Sequence, residues 1–422
     1  MKICIITHYY PPEIGAPQAR LSEMARAWVK AGDAVTVITC FPNHPSGIIP
    51  DAYRDAYKKT RFMEEQLDGV RVIRCWVFAT PNKGVAKRTL GHLSFMLTAM
   101  FQGARFIKGS DAIVVSSPSF FSVIAAYCLS RRYSVPYVFE VRDLWPAIFV
   151  DLGILKNRLL IALLERIEVF LYRKAAAIVT VTKSFAKNIA SRNVDNRKIF
   201  TITNGADTFF LRPRAKDFAL ATKLGLGSKC VVLYMGAHGI SHALGKIIEV
   251  AARLRQRTEL HFLFVGEGAE KETIVKMARE LQLTNVTFLP GQPKEKVAPI
   301  YSVADICLVP LRDIPLFETF IPSKMFEIMA MERPIIASVR GEAHDILKES
   351  CAAILCPPEN VEAISSAVLE LAGDQERRMK LAAAGRAFVE RNYDRNRLAQ
   401  DYRAILAKVV EGQVDRIGPG PS

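Results

Sequence analysis

Short β-branched and apolar runs alternate with longer amphipathic segments along nearly the whole chain, the pattern of parallel sheets covered by helices. In the first half, strands are expected at 3–7, 34–39, 70–75, 112–115, 136–140, 177–181 and 199–202, with helices at 18–30, 120–132 and 158–173. The pattern then restarts, with strands at 230–235, 260–265, 286–289, 306–309 and 334–337 and helices near 245–257, 271–281, 323–331 and 361–371. The stretch 204–229, with Asn204-Gly205 and Pro213, reads as turn and linker. The expected fold class is therefore α/β, with two doubly wound parallel-sheet domains at 1–204 and 205–395. A C-terminal helix and tail over 396–422 is expected to pack back on the first, with the Gly/Pro end at Gly418–Ser422 frayed.

A length of 422 residues suits two domains, and 50% apolar residues against 23% charged ones give each enough material for a core. Eight scattered cysteines form no CxxC pair and no histidine stands at metal spacing, so they read as reduced core residues and no metal site is expected. The chain starts directly on an apolar run without the segments of a signal peptide, which suggests the cytoplasm. A formal net charge of +15 can attract nucleic acid, anionic lipid or phosphorylated small molecules. No nucleic-acid-binding signature appears and the cations are not interleaved with aromatics, so nucleic acid is not expected as a partner.

Ligands of doubly wound sheets bind beyond the carboxyl ends of the strands, and several loops there have the composition for it. The first strand opens into Pro11-Pro12-Glu13-Ile14-Gly15, which starts a helix and ends at Arg20. Either it is an ordinary turn or it cradles an anion on helix amides. The second half repeats this with Gly236-Ala237-His238-Gly239. Here His238 either bonds the local backbone or faces a phosphate or leaving group. Glu267, between Gly266 and Gly268, is a ligand contact or a helix cap, with capping the default. The most informative segment is Pro322-Ser323-Lys324 with Glu327. It offers a helix start, a cation for a diphosphate, and an acid one turn on for ribose hydroxyls. The apolar flank of Met325, Phe326 and Ile328 argues against a merely solvated Glu327.

On the other half, Arg142-Asp143-Leu144-Trp145 follows a strand. Asp143 could orient an acceptor hydroxyl and Arg142 an acceptor phosphate; an internal Arg–Asp pair fits equally. His8 and His44, also at strand ends, are weaker candidates. The stretch 82–108 combines Lys83, Lys87, Arg88, Arg105 and Lys108 with Leu90, Phe95, Leu97 and Phe101. It reads as a basic amphipathic helix at a bilayer surface or as a buried domain helix.

Together these residues resemble the family-4 retaining glycosyltransferases, which have the GT-B fold of two facing Rossmann-like domains. The resemblance covers nearly the whole chain. It rests on the Pro-rich Gly15 loop, Asn204-Gly205-Ala206-Asp207, Tyr234-Met235-Gly236, Val265-Gly266-Glu267-Gly268, and Pro322-Ser323-Lys324 with Glu327 and Ala330. Glu140-Val141-Arg142-Asp143-Leu144-Trp145-Pro146 and Ala237-His238-Gly239 are similar to the N-acetyl-L-fucosamine transferases of bacterial O-antigen and capsule assembly.

The resemblance implies donor phosphates bordered by Gly15 and Gly236, a diphosphate met by Ser323 and Lys324, and a ribose on Glu327, with Glu267 also on the donor side. Beside it, Asp143 and His238 stand as the catalytic candidates and Arg142 and Arg20 as those for the acceptor side. Transfer would proceed with retention and without a metal or cofactor, from a nucleotide-sugar co-substrate, UDP-sugar favoured. The acceptor would be a polyprenyl-diphosphate-linked saccharide, reached by peripheral contact through 83–108 at the inner face of the plasma membrane. Three positions depart from the family pattern. Thr319 stands where a first motif glutamate belongs, with Glu318 one step off, and Ala237 and Leu244 occupy the neighbourhood of an expected Arg and Lys. The alternatives are a nucleotide-sugar epimerase of the same fold and a non-catalytic ligand-binding protein.

Overall fold

The computed structural model describes residues 1–13, 15–44, 46–81, 85–117, 119–151 and 153–412; Lys83 and the Gly418–Ser422 tail lie outside the described residues. The opening apolar run is β1 (Lys2–Ile6), followed by α1 (Ala16–Lys30), β2 (Ala34–Cys40), α2 (Asp51–Lys59), β3 (Phe62–Leu67) and β4 (Val70–Cys75). Then come α3 (Val85–Phe101), β5 (Ala112–Ser116), α4 (Phe120–Tyr133), β6 (Tyr137–Val141), α5 (Ala147–Asp151), α6 (Arg158–Lys174), β7 (Ala177–Thr180), α7 (Lys183–Ala190) and β8 (Ile199–Thr201). The eight strands form one sheet in the order β3-β4-β2-β1-β5-β6-β7-β8, parallel except for the antiparallel edge pair β3–β4. The register pairs Ile3 with Val35 and Ile5 with Val37, so these side chains share one face and Cys4, Ile6 and Ile38 share the other. Helices α3, α4 and α6 cover the second face through Phe95, Val123 and Leu171.

The second sheet begins after α8 (Phe218–Lys223). Its elements are β9 (Cys230–Met235), α9 (Leu244–Arg253), β10 (Leu260–Val265), α10 (Lys271–Glu280), β11 (Val286–Leu289), α11 (Lys294–Val303) and β12 (Ile306–Pro310). These continue into α12 (Lys324–Ala330), β13 (Ile335–Ser338), α13 (Gly341–Ser350), β14 (Ala353–Cys356), α14 (Val361–Gly373), α15 (Gln375–Asn392) and α16 (Arg395–Val410). All six strands are parallel, in the order β11-β10-β9-β12-β13-β14. Each sheet thus reverses its strand order beside one strand, β1 in the first and β9 in the second, and the loops beyond that strand border a natural crevice.

Contacts divide the chain into two units, Met1–Thr203 with the segment from Asn396 onward, and Asn204–Arg395. In the first unit α16 lies against α1: Trp28 Nε1 donates to the Ala399 carbonyl at 2.9 Å and Arg403 pairs with buried Asp33. The segment 204–229 is not a linker. Ala206, Leu211, Ala221 and Leu226 are buried in the second unit's core, and Asp217 caps α8 by accepting from Leu220 N. Nor are all the cysteines core residues, since Cys128 and Cys351 are exposed; the eight thiols are all free. Among the described residues no helix is long and apolar enough to cross a membrane.

Candidate functional site

In the second unit the predicted donor loops converge at the end of β9. Gly236 has φ +144°, in the region that favours glycine, and a Cβ there would lie 2.9 Å from Lys324 Nζ. Lys324 therefore reaches from the start of α12 back to the β9 loop. Its ammonium nitrogen lies 3.8 Å from the centre of the Tyr234 ring, a cation–π contact, and it is buried without a hydrogen-bond partner among the described residues. Burial brings its pKa down to about 7, with Glu327 opposing the shift. Tyr234, deeply buried, is held by its hydroxyl donating to the Ala237 carbonyl at 2.6 Å. Together these form a desolvated cation on an aromatic floor beside a glycine turn.

His238 belongs to the same loop. Its main-chain N–H donates to the Glu267 carbonyl at 2.8 Å and its own carbonyl accepts from Glu270 N at 2.9 Å. The packing is close because a Cβ on Gly268 would meet the His238 carbonyl oxygen at 2.4 Å and one on Gly266 the Gly236 oxygen at 1.9 Å. The buried imidazole makes no hydrogen bond of full geometry, the Val265 main chain being a weak contact. Burial, then Lys271 and Lys324, lower its pKa to about 4, so the ring is neutral at neutral pH. His242 is lowered to about 3, chiefly by burial. Both rings can therefore offer a neutral donor or acceptor, not a standing positive charge.

Glu267 does not cap α10, whose N-cap is Glu270. Its carboxylate accepts instead from Lys271 Nζ at 2.7 Å and Gly291 N at 3.3 Å, and the Lys271 bond holds it below its usual pKa. Ser323 is the N-cap of α12 but makes no side-chain capping bond. Glu327 is half-buried and accepts from the Tyr301 hydroxyl at 3.3 Å. Thr319 donates its hydroxyl to the Leu316 carbonyl, and a Cβ on Gly341 would lie 2.0 Å from the Glu318 carbonyl oxygen. The Glu318 backbone is thus pinned by the turn that starts α13.

The first unit sorts its candidates differently. Gly15 is the N-cap of α1 at φ 166°, an extended conformation open to any residue, and its closest approach is to the flexible amide of Gln18. Arg20 is 3% exposed. Its guanidinium donates to Glu140 Oε2 at 3.1 Å and to the carbonyls of Thr203 and Ile202 at 2.6 and 2.7 Å. All of these bonds are structural, tying α1 to β6 and to the chain beyond β8. Arg142 and Asp143 sit just past β6, their amides donating to Ser117 Oγ at 2.8 and 3.4 Å. Burial raises the Asp143 carboxyl pKa, with Arg142 opposing.

Near them lies a cluster that sequence reasoning only half saw. The His8 and His92 rings are 4.2 Å apart, and Tyr9 touches His44 edge-on at 5.2 Å and His92 at 6.1 Å. His92 Nδ1 shares a hydrogen bond with Ser119 Oγ at 3.2 Å, and burial lowers its pKa to about 4. His92 lies on α3, where the sequence reading attends to the basic and apolar residues of an amphipathic helix and not to the histidine; its place four residues after Arg88 is the available signal. Within that stripe Phe95 and Ala99 are buried, Leu90, Leu97 and Phe101 are exposed, and Arg105 lies over Phe62 and Phe106.

Residues 15–205 match the family described as Glycosyl transferase 4-like domain, and residues 220–388 match Glycosyl transferases group 1. A relative from Escherichia coli, WcaI, named as a glycosyl transferase of colanic acid biosynthesis, is 25% identical over 381 residues, 87% of this chain and 91% of its own. Among solved structures, sucrose-phosphate synthase from Thermosynechococcus elongatus superposes with a TM-score of 0.76 at 19% identity, covering 97% of this chain and 99% of its own. Anabaena HepE, solved with UDP and glucose, superposes at 0.73 and 15% identity, covering 96% and 99%. The structural likenesses establish the GT-B fold, and with one family match in each unit the chain belongs to the GT-B glycosyltransferases.

Proposed function

We propose that the chain is a retaining, metal-independent transferase that moves a sugar from a UDP-sugar to a membrane-held, polyprenyl-diphosphate-linked saccharide in bacterial surface polysaccharide synthesis. Its nearest functional likeness would be to the N-acetyl-L-fucosamine transferases. The observation that carries the reading is the Lys324 ammonium, buried on Tyr234 against Gly236 with no hydrogen-bond partner among the described residues. A buried polar group left unmatched is costly unless a ligand completes it. The ligand that suits this one is an anion, and a leaving diphosphate gains charge as the sugar–phosphate bond breaks. The name of WcaI supports the polysaccharide context, and the UDP named in the HepE structure is consistent with a UDP donor.

In this reading the bond from the sugar's anomeric carbon to the diphosphate oxygen breaks, its electron pair leaving with the diphosphate, where Lys324 meets the charge. The acceptor hydroxyl attacks from the same face and its proton passes to the departing oxygen. Neutral His238 offers a hydrogen bond without competing for that proton, and Glu327 holds ribose hydroxyls. On the acceptor side Asp143 orients the hydroxyl and Arg142 meets the acceptor phosphate, with Arg20 behind them in its structural role.

The test is release of nucleotide diphosphate from a panel of UDP-, GDP- and dTDP-sugars incubated with the protein and a membrane extract, with and without EDTA. Turnover of a UDP-sugar that EDTA does not change is expected. Lys324→Ala should weaken UDP binding by about 10- to 100-fold, the worth of one charge-assisted contact. Wild-type UDP affinity in that variant would remove the assignment.

A further inference from the structure

Helix α6 carries its most unusual face outward. Leu159 is 85% exposed, Leu163 54% and Phe170 41%, and with exposed Arg166 they follow at i, i+4, i+7 and i+11, along one side of the helix. Arg173 and Lys174 extend the same side at its last turn. The opposite side is the packed one, where Glu168, Leu171 and Tyr172 are buried and Glu168 is paired with Arg192. A helix with one face in a core ordinarily turns charged and polar residues to water. This one turns leucines there instead, flanked by cations.

We infer that the outward face of α6 is a docking surface for an anionic lipid bilayer, distinct from the α3 stripe. Three features single out lipid. Between residues 156 and 174 the cations are Lys156, Arg158, Arg166, Arg173 and Lys174, against Glu165 and the internally paired Glu168. Leucine side chains inserted among acyl chains with arginines at the headgroups are the arrangement of an interfacial helix. A second copy of the chain fits poorly, because a self-complementary contact would set the cations of one face against those of the other.

Topology adds a consequence. Helix α6 runs from the loop beyond β6 back to the start of β7, and β6 and β7 are parallel. Its leucine-bearing first turns, fixed by Asn157 Oδ1 accepting from Leu159 N and Leu160 N, therefore lie at the end of the unit that holds Arg142 and Asp143. Docking there brings the candidate acceptor residues to the bilayer surface. This last step rests on the acceptor reading given above; the docking itself does not.

The experiment is co-sedimentation of the full chain with phosphatidylcholine vesicles containing or lacking phosphatidylglycerol. Wild type should bind the anionic vesicles at least tenfold more tightly than the neutral ones. Leu159→Glu with Leu163→Glu, and separately Arg166→Glu with Lys174→Glu, should each weaken that binding at least about tenfold, from lost apolar insertion and lost attraction respectively. Urea midpoint and UDP affinity should stay unchanged, since these side chains face outward. Undiminished binding in both α6 variants would overturn the inference. So would loss confined to a Leu97→Glu, Phe101→Glu variant of α3, or a concentration-dependent dimer that the α6 changes abolish while no vesicle binds. Failure of the transferase reading looks different: no donor turns over even in detergent, while α6-dependent vesicle binding persists.

Discussion

Lys324 turns the electrostatics of the donor loops into a measurable proton. Its pKa of about 7 in the folded chain lies below the ordinary 10.5, so in that window the unfolded chain binds more protons and stability rises with pH. A diphosphate on the ammonium reverses the shift. At pH 8 nucleotide binding should therefore take up close to one proton, seen as a dependence of calorimetric enthalpy on the ionisation enthalpy of the buffer. UDP affinity should fall as pH rises above 7. Both effects should vanish in Lys324→Met, and their survival there would assign the proton elsewhere. The glycine packed against Gly236 makes a second prediction. Gly266→Ala places a Cβ 1.9 Å from a backbone oxygen at φ +149°, where only main-chain movement gives relief, and should cost more than about 3 kcal/mol in urea unfolding. Gly32→Ala, at φ +86° with nothing within 4 Å, should cost only about 1–2 kcal/mol; equal losses would show that the crowding is not what matters. The lysine was legible in the sequence because Pro322-Ser323-Lys324 is a local pattern. Its aromatic floor was not, because Tyr234 meets it only through the folded sheet.

The elements that sequence periodicity placed well are the parallel strands other than β14, since a strand buried on both faces is a continuous apolar run, as in the fully buried β5 and β10, whereas β14 is a four-residue run fully buried only at Cys356. β3 escaped because it is an antiparallel edge carrying Glu64 and Glu65, and Glu65 is there to pair with Arg74, which is fully buried on β4. The segment 204–229 misled because its turn residues are real, while Ala206, Leu211, Ala221 and Leu226, spread among them, are packed into the core. Arg20 shows the same limit within the candidate site. A cation at the end of a glycine loop looks like a ligand contact until its partners, at residues 140, 202 and 203, are brought near by sheet formation. Its Glu140 partner is completely buried and keeps only the Ser116 hydroxyl if the arginine is lost. Arg20→Ala should then destabilise the chain by about 3–5 kcal/mol. Arg20→Ala with Glu140→Gln should recover a good part of that. A stable Arg20→Ala variant with weakened acceptor binding would restore the ligand role.

At the scale of the whole molecule the chain leaves its first unit after Thr203 and re-enters it at Asn396, so the first unit is not contiguous in sequence. The returning helix α16 supplies Leu398, Ala399, Tyr402, Ile405, Leu406 and Val409 to the core cluster that holds Leu21, Met24 and Trp28. Tyr402 meets Trp28 edge-on at 5.4 Å, and Arg403 and the N-terminal ammonium share the buried Asp33. Burying the larger of these side chains contributes about 1.5–3 kcal/mol each, or on the order of 10 kcal/mol together, as much as the net stability of an ordinary domain. Residues 1–203 expressed alone should therefore fail to unfold cooperatively and should bind a hydrophobic dye, with Trp28 emission shifted toward that of exposed indole. A separate peptide spanning α16 should restore a cooperative transition, and the same peptide carrying Tyr402→Ala and Leu406→Ala should not. A cooperative, dye-free 1–203 fragment would show instead that the first sheet and its own helices suffice, leaving α16 as a tether and not a part of that core.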